Sequence, residues 1–341
     1  MSNFEYPEVW FTYGPQTKDD DVLESLLLAG ATGVRLTFSY GTSELQIQRA
    51  SQVRNVADQI GKRVLIVADL QGEKCRFSKI EGVDEVRLTK DQPFLLTSGA
   101  TRLEGTIPEL QIQIPAYLEE LEEGDIVVEG DGALLIKVLQ KKANGVLCAP
   151  LTQGVIHPGR GIVVQKSGFR PTPMTEKDKA DLVAAAKSRA FDAVAISFVG
   201  DPQDIQEARK SIQQCAGSMS VVAKIETQLG IEQIDLIARE ADLLMAARGD
   251  LALTLPWVDL YEAVSKLCSA AEVARKPWVV ATQLAEGLER FVFPTRAEIC
   301  DLAHWISAGA FGAMLSFETA FGPYPKESVR AVRQIVDRYR R

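Results

Sequence analysis

The stretch Ser220–Gln228, SVVAKIETQ, is apolar enough to be a buried strand, yet it carries Lys224 and Glu226 near its end. Burying an unpaired charge costs several kcal/mol or shifts its pKa until it neutralises, so these residues need partners, a metal or a ligand. Glu226 and Asp250 are hard oxygen donors suited to Mg²⁺ or Mn²⁺, with water and substrate filling the remaining positions. His157 and His304 are the only histidines, which makes zinc or iron a poor match. Lys224 beside such a metal can hold a transferring phosphoryl group or an enolate, and Arg35 offers a planar fork for phosphate. Gly249, in ARGDL, lets backbone N–H groups approach an anion at a helix start.

Only a fold can gather residues so far apart. Eight short apolar runs, near residues 9, 34, 63, 192, 220, 242, 277 and 311, alternate with amphipathic stretches. Among the latter are TEKDKADLVAAAKSRAF, with Thr175 as N-cap, and TRAEICDLAHWISAG, closed by Gly309. This alternation predicts a (β/α)₈ TIM barrel rather than a doubly wound sheet. Barrel sites are built at the C-terminal ends of strands. Arg35, Thr37 and Ser39 would follow strand two, Asp69 strand three and Ser197 strand four. Lys224 and Glu226 end strand five, Arg248 and Asp250 follow strand six, Thr282 ends strand seven, and Ser316 and Glu318 end strand eight. Any one of Lys224, Glu226 and Arg248 could be a rim ion pair, but five loops converging on one mouth favour a site.

Residues 77–165 break the rhythm with short alternating runs and turn signals, from DEVRLT to GRGIVVQ, and predict a small all-β domain inserted after strand three. The barrel is then 1–76 and 166–341, about 250 residues, the size of a bare barrel. Thr42 reads as an N-cap and His304 as a packed helix residue.

The balance of 38 basic against 46 acidic residues disfavours nucleic acid or an anionic membrane as partner. Five scattered cysteines without CxxC spacing read as reduced, buried thiols. The N-terminus has no signal-peptide pattern and no run is long enough to span a membrane, so a cytoplasmic location is expected. A homo-oligomer is left open.

The motifs VRLTFSYGT, VADLQGEKCR, GDIVVEGDG, AKIET, AARGDL, ATQLAEG, PTRAEICDLA and MLSFETAFGPYP, in this order, resemble those of pyruvate kinase. The resemblance implies phosphoryl transfer between phosphoenolpyruvate and ADP, giving pyruvate and ATP, on a barrel with a β-domain lid. It implies Glu226 and Asp250 as ligands of the divalent metal, and Arg35 and Arg76 as phosphate contacts. Lys224 would stabilise the phosphoryl group and then the enolate, and Thr282 would sit near the protonated carbon. Ser197 belongs to the substrate side, and the backbone of Ala247, Arg248 and Gly249 would hold the carboxylate. Ser316 and Glu318 would form or support a proton relay, and Asp131 would close over the site from the lid. On the nucleotide side stand Thr37, where the family has asparagine, Ser39, and Tyr40, where it has histidine. Lys74 replaces a glutamate of potassium-dependent members; with Asp69 it would stand in for the monovalent ion, so no potassium requirement is expected. Gly200 and His304 also depart from the pattern. The chain ends at VDRYRR, which implies that the family's C-terminal effector domain is absent.

Other readings are an offshoot acting on a modified enolpyruvate or another acceptor, and a non-catalytic binding protein. KIET followed by GDL also resembles the metal site of 4-hydroxy-2-oxo acid aldolases, although that group has no inserted lid.

Overall fold

The structure, a computed structural model, describes residues 8–291 and 293–340. Eight strands, β1 (Glu8–Thr12), β2 (Gly33–Thr37), β3 (Leu65–Asp69), β4 (Ala193–Ile196), β5 (Ser220–Ile225), β6 (Leu243–Ala247), β7 (Trp278–Ala281) and β8 (Gly312–Met314), close into one parallel barrel. They coincide with the eight apolar runs, so the predicted barrel is borne out.

The period-two geometry of these strands selects the site. One phase of each strand fills the barrel interior, with Trp10, Leu65, Val67, Ala193, Ala195, Val222, Leu243, Met245 and Met314 in one buried cluster. The other phase, including Val34, Leu36, Val194, Val221 and Ala223, packs against the helices. Continuing the inward phase by two residues at a time leads to Asp69, Ser197, Lys224, Glu226 and Ser316. Lys224 and Glu226 are therefore two apart because both point into the barrel mouth. At the opposite end, Gly33 permits Trp10 to fill the interior, because a Cβ there would lie 2.3 Å from the indole Cδ1.

Local signals fix the surrounding helices. Thr175 and Thr295 form capping boxes with Asp178 and Glu298, and the Thr42 side chain accepts from the Leu45 N–H. Each such cap stabilises its helix by about 1 kcal/mol. Gly309, at φ +107°, follows the helix Arg296–Ser307 in the left-handed region, and within that helix His304 packs against Trp305.

Between β3 and β4 the chain builds a six-stranded sheet and a two-stranded sheet around a separate apolar core that includes Phe77, Phe94, Leu96, Ile136 and Val138. The GDG at 130–132 is a hairpin turn with both glycines at positive φ. The expectation of pure β structure needs one amendment. Residues Ala116–Glu120 form a short helix, following Pro115 and burying Tyr117 and Leu118.

The thiols differ more than expected. Burial pushes Cys75 and Cys148 up, to about 11 and about 12, which makes them inert. Cys215 and Cys268 are half-buried and Cys300 is exposed, so the reading of all five as buried is corrected. Among the described residues no helix is long and apolar enough to cross a membrane.

Glu8, at the base of β1, is 5% exposed and accepts hydrogen bonds from Thr32 Oγ1 at 2.6 Å and Trp10 Nε1 at 3.1 Å. Burial outweighs these bonds and raises its pKa from 4.5 to about 7. The folded state thus holds the proton over a pH range in which the unfolded state has lost it. Stability is expected to fall as pH rises through that window, by on the order of 3 kcal/mol. Glu8→Gln should remove this contribution, so urea unfolding should show the variant gaining on the wild type between pH 5 and pH 8. Parallel pH profiles for the two proteins would contradict it.

Candidate active site

The C-terminal mouth of the barrel opens into a cavity of about 710 Å³, lined in part by Arg35, Thr37, Ser39, Tyr40, Asp69, Lys74, Arg76, Ser197, Lys224, Glu226, Asp250 and Ser316. At its floor the Lys224 ammonium lies 3.1 Å from Asp69 Oδ1, 3.0 Å from Glu226 Oε1 and 2.7 Å from Ser197 Oγ, to which it donates. Ser197 in turn donates a hydrogen bond to the Leu70 carbonyl at 2.8 Å. Burial works against the ammonium, but Asp69 and Glu226 outweigh it and raise the Lys224 pKa. The lysine is therefore a fixed cation at neutral pH.

Glu226 is held from the other side by the Phe198 N–H, 2.8 Å from Oε2. Its carboxyl is raised by burial, against the pull of Lys224 and with a further push from Asp250. Repulsion between two carboxylates facing one cavity is relieved when a cation lies between them. Among the described residues no group of three or more His, Cys, Asp or Glu is placed to hold a metal. Glu226 and Asp250 supply two hard oxygens, a donor set that fits Mg²⁺ or Mn²⁺ completed by water and substrate.

Arg35 sits above this floor. One of its terminal nitrogens is 3.5 Å from Asp69 Oδ2, while its Nε is buried without a hydrogen-bond partner. An orphaned guanidinium donor is costly unless an anionic ligand completes it. Lys74 Nζ lies 3.1 Å from Asp250 Oδ1, and Asp250, not Asp69, is its ion-pair partner.

The loop after β7 is built differently. Thr282 and Gln283 both have positive φ, +74° and +55°, an uncommon conformation for a β-branched residue. Arg248 clamps them. Its guanidinium donates to the carbonyls of Ala281 at 3.2 Å and Thr282 at 2.7 Å, and pairs with Asp301 at 2.6 Å. Glu318, 2% exposed, accepts from the N–H groups of Leu284, Ala285 and Ser316. Arg248 and Glu318 hold backbone and, like the expected substrate contacts Ala247, Gly249 and Thr282, stand outside the cavity lining. Thr282 packs on Gly249, where a Cβ would come within 3.1 Å of its Cγ2. Asp131 is fully exposed on the inserted sheet's hairpin, 4.0 Å from Arg160, and does not line the cavity. Sequence reasoning passed over Phe317 and Phe321, which do line it. Their signal was two aromatic residues four apart directly after β8.

The model of the pyruvate kinase barrel domain matches residues 7–329. The chain belongs to the pyruvate kinase family. It is 34% identical to pyruvate kinase of Haemophilus influenzae over 327 residues, covering 95% of this chain and 68% of that protein. Identity to pyruvate kinase of Thermococcus litoralis is 32% over 324 residues, covering 95% and 67%. Against pyruvate kinase 2 of Synechocystis sp. it is 34% over 330 residues, 96% of this chain but 55% of that one. Membership in the pyruvate kinase family makes the chain an enzyme of the phosphotransferase class.

Proposed function

We propose that the chain transfers a phosphoryl group between phosphoenolpyruvate and ADP, forming pyruvate and ATP, with Mg²⁺ or Mn²⁺ and without potassium. The observation that carries this reading is the buried Lys224 ammonium fixed by Asp69, Glu226 and Ser197 beneath the unsatisfied Nε of Arg35. Phosphoryl transfer needs positioned positive charge more than covalent chemistry, and this floor provides it before substrate arrives.

In this reading Arg35 and Arg76 bind the phosphoryl oxygens. Lys224 faces the bridging oxygen, stabilising charge first on the phosphoryl group and then on the enolate. Thr282 is presented by its clamped loop beside the carbon that takes the proton. Ser316 lies on the proton path, and Glu318 supports it through the Ser316 N–H. The backbone of Ala247, Arg248 and Gly249 takes the carboxylate, and Thr37, Ser39 and Tyr40 line the nucleotide side. Glu226 and Asp250 would hold the divalent metal, which when bound supplies Lewis-acid neutralisation of phosphate and enolate oxygens. Residues 77–165 form the lid, with Asp131 at its tip, over a barrel of residues 1–76 and 166–341. The expected partners are small molecules, in the cytoplasm.

Lys74 places an ammonium group beside Asp250, the contribution otherwise made by a monovalent cation. Pyruvate formation from phosphoenolpyruvate and ADP with Mg²⁺ is therefore expected in sodium-only and potassium-containing buffers alike, within about twofold. Strong activation by potassium would overturn the role of Lys74. Metal-dependent binding of phosphoenolpyruvate without turnover would instead mean that the phosphoryl acceptor is different.

A further inference from the structure

Phe317 and Phe321 are out of place if packing alone explains them. They bracket the short helix Phe317–Ala320 after β8, are 59% and 47% exposed, and belong to none of the buried apolar clusters. Their rings stack on each other, 4.7 Å between centroids at 29°, and both line the cavity that holds Lys224 and Arg35. Exposed aromatic surface lining a cavity that also holds charged side chains gains stability from neither core packing nor solvation, and it marks a ligand contact. A stacked pair still offers an outer face to a third ring.

The barrel order gives the direction. The two carboxylates Glu226 and Asp250 follow β5 and β6, whereas β8 neighbours β1, and β1 neighbours β2, which carries Arg35. On this β8–β1–β2 side the cavity also has two cations, Lys18 and Arg49, the latter 5.1 Å over the Tyr13 ring. A ligand with phosphates near Arg35 and a planar ring reaching past β1 satisfies both halves of this wall. A small enolpyruvate has no ring to place there.

We propose that Phe317 and Phe321 form a stacking platform for the base of the nucleoside diphosphate acceptor. This rests on the phosphotransfer reading above. Stacking tolerates any base because every base has a π-face, so purine and pyrimidine diphosphates should all serve, with the larger purines bound more tightly.

The test is calorimetric binding of ADP and of inorganic pyrophosphate, which has the charges without the ring, to the wild type and to Phe317→Ala/Phe321→Ala. Steady-state KM values for ADP and phosphoenolpyruvate accompany it. The double variant is expected to weaken ADP binding and raise its KM by about tenfold or more, leaving pyrophosphate affinity unmoved. Phe317→Leu/Phe321→Leu keeps apolar bulk without a ring face and should show a loss in the same direction, so the test survives if the alanine variant misfolds. Unchanged ADP affinity in a variant of an active wild type would overturn the platform, as would equal losses for ADP and pyrophosphate. A raised KM for phosphoenolpyruvate alone would overturn it by assigning the rings to the other substrate. A wild type that neither binds ADP nor turns it over would refute the phosphotransfer reading itself, and the platform with it.

Discussion

Lys224→Met is expected to reduce phosphoryl transfer on the order of a thousandfold. Methionine keeps the unbranched stem, one atom shorter than lysine, in the same inward position after Val222, but it carries no charge for the phosphoryl group or the enolate. Removing a single preorganised donor from an oxyanion site already costs on the order of a hundredfold to a thousandfold, and here the donor is a full cation at a buried floor. The same ammonium neutralises Asp69 and Glu226, 4% and 3% exposed. An effect on activity alone, with the fold untouched, would be the expectation from sequence. The structure adds a second effect, because Glu226 loses its counter-charge and Asp69 keeps only Arg35, at about 3–5 kcal/mol for a broken buried pair. Mg²⁺ should restore part of that stability by giving Glu226 a cation again, without restoring turnover. The readouts are pyruvate formation and denaturant unfolding, each with and without Mg²⁺. Turnover within about tenfold of the wild type would remove Lys224 from the reaction.

The same residues show what a sequence reveals and where it stops. The barrel was legible because each strand is short, apolar and followed by an amphipathic stretch, and Lys224 and Glu226 stood out because charge interrupts a buried run. Their two-residue spacing contains their shared direction, since strand side chains alternate faces. Partner identity was not legible. Lys74 and Asp250 are 176 residues apart, and nothing local says that they meet. Glu318 and Arg248 looked like site residues because they follow strands beside others that line the cavity. Only the hydrogen bonds reveal that they hold the β7 loop. The left-handed Thr282 was hidden for the opposite reason. Local propensity argues against a β-branched residue at positive φ, so the conformation is imposed by tertiary contacts. The short helix Ala116–Glu120 was masked by the alternating runs on either side of it.

Arg248→Met should lower kcat on the order of a hundredfold while leaving KM for ADP nearly unchanged. Thr282 and Gln283 each hold a backbone conformation that costs roughly 1–3 kcal/mol, and such strain persists only where the surroundings over-determine it. Here the surroundings are Arg248, donating to the Ala281 and Thr282 carbonyls, and Glu318, accepting from Leu284 and Ala285. Methionine keeps the stem and loses every one of those donors, so the loop relaxes toward negative φ and Thr282 leaves its place against Gly249. A displacement of about 1 Å at a reacting group is enough for a hundredfold loss. The effect belongs in kcat because Arg248 bonds the Ala281 and Thr282 carbonyls, whereas Leu284 and Ala285, beside the β8 segment that carries Phe317, stay held by Glu318. Arg248→Lys should recover only part of the activity, since one ammonium cannot reach two carbonyls and Asp301 together. Asp301→Asn, which leaves the guanidinium and its carbonyl bonds in place, should be milder than either. A purely structural arginine would instead lower thermal stability with kcat preserved in the surviving fold. Measuring kcat and both KM values beside the melting temperature separates the two roles, and a kcat within about threefold of the wild type would release Thr282 from the mechanism.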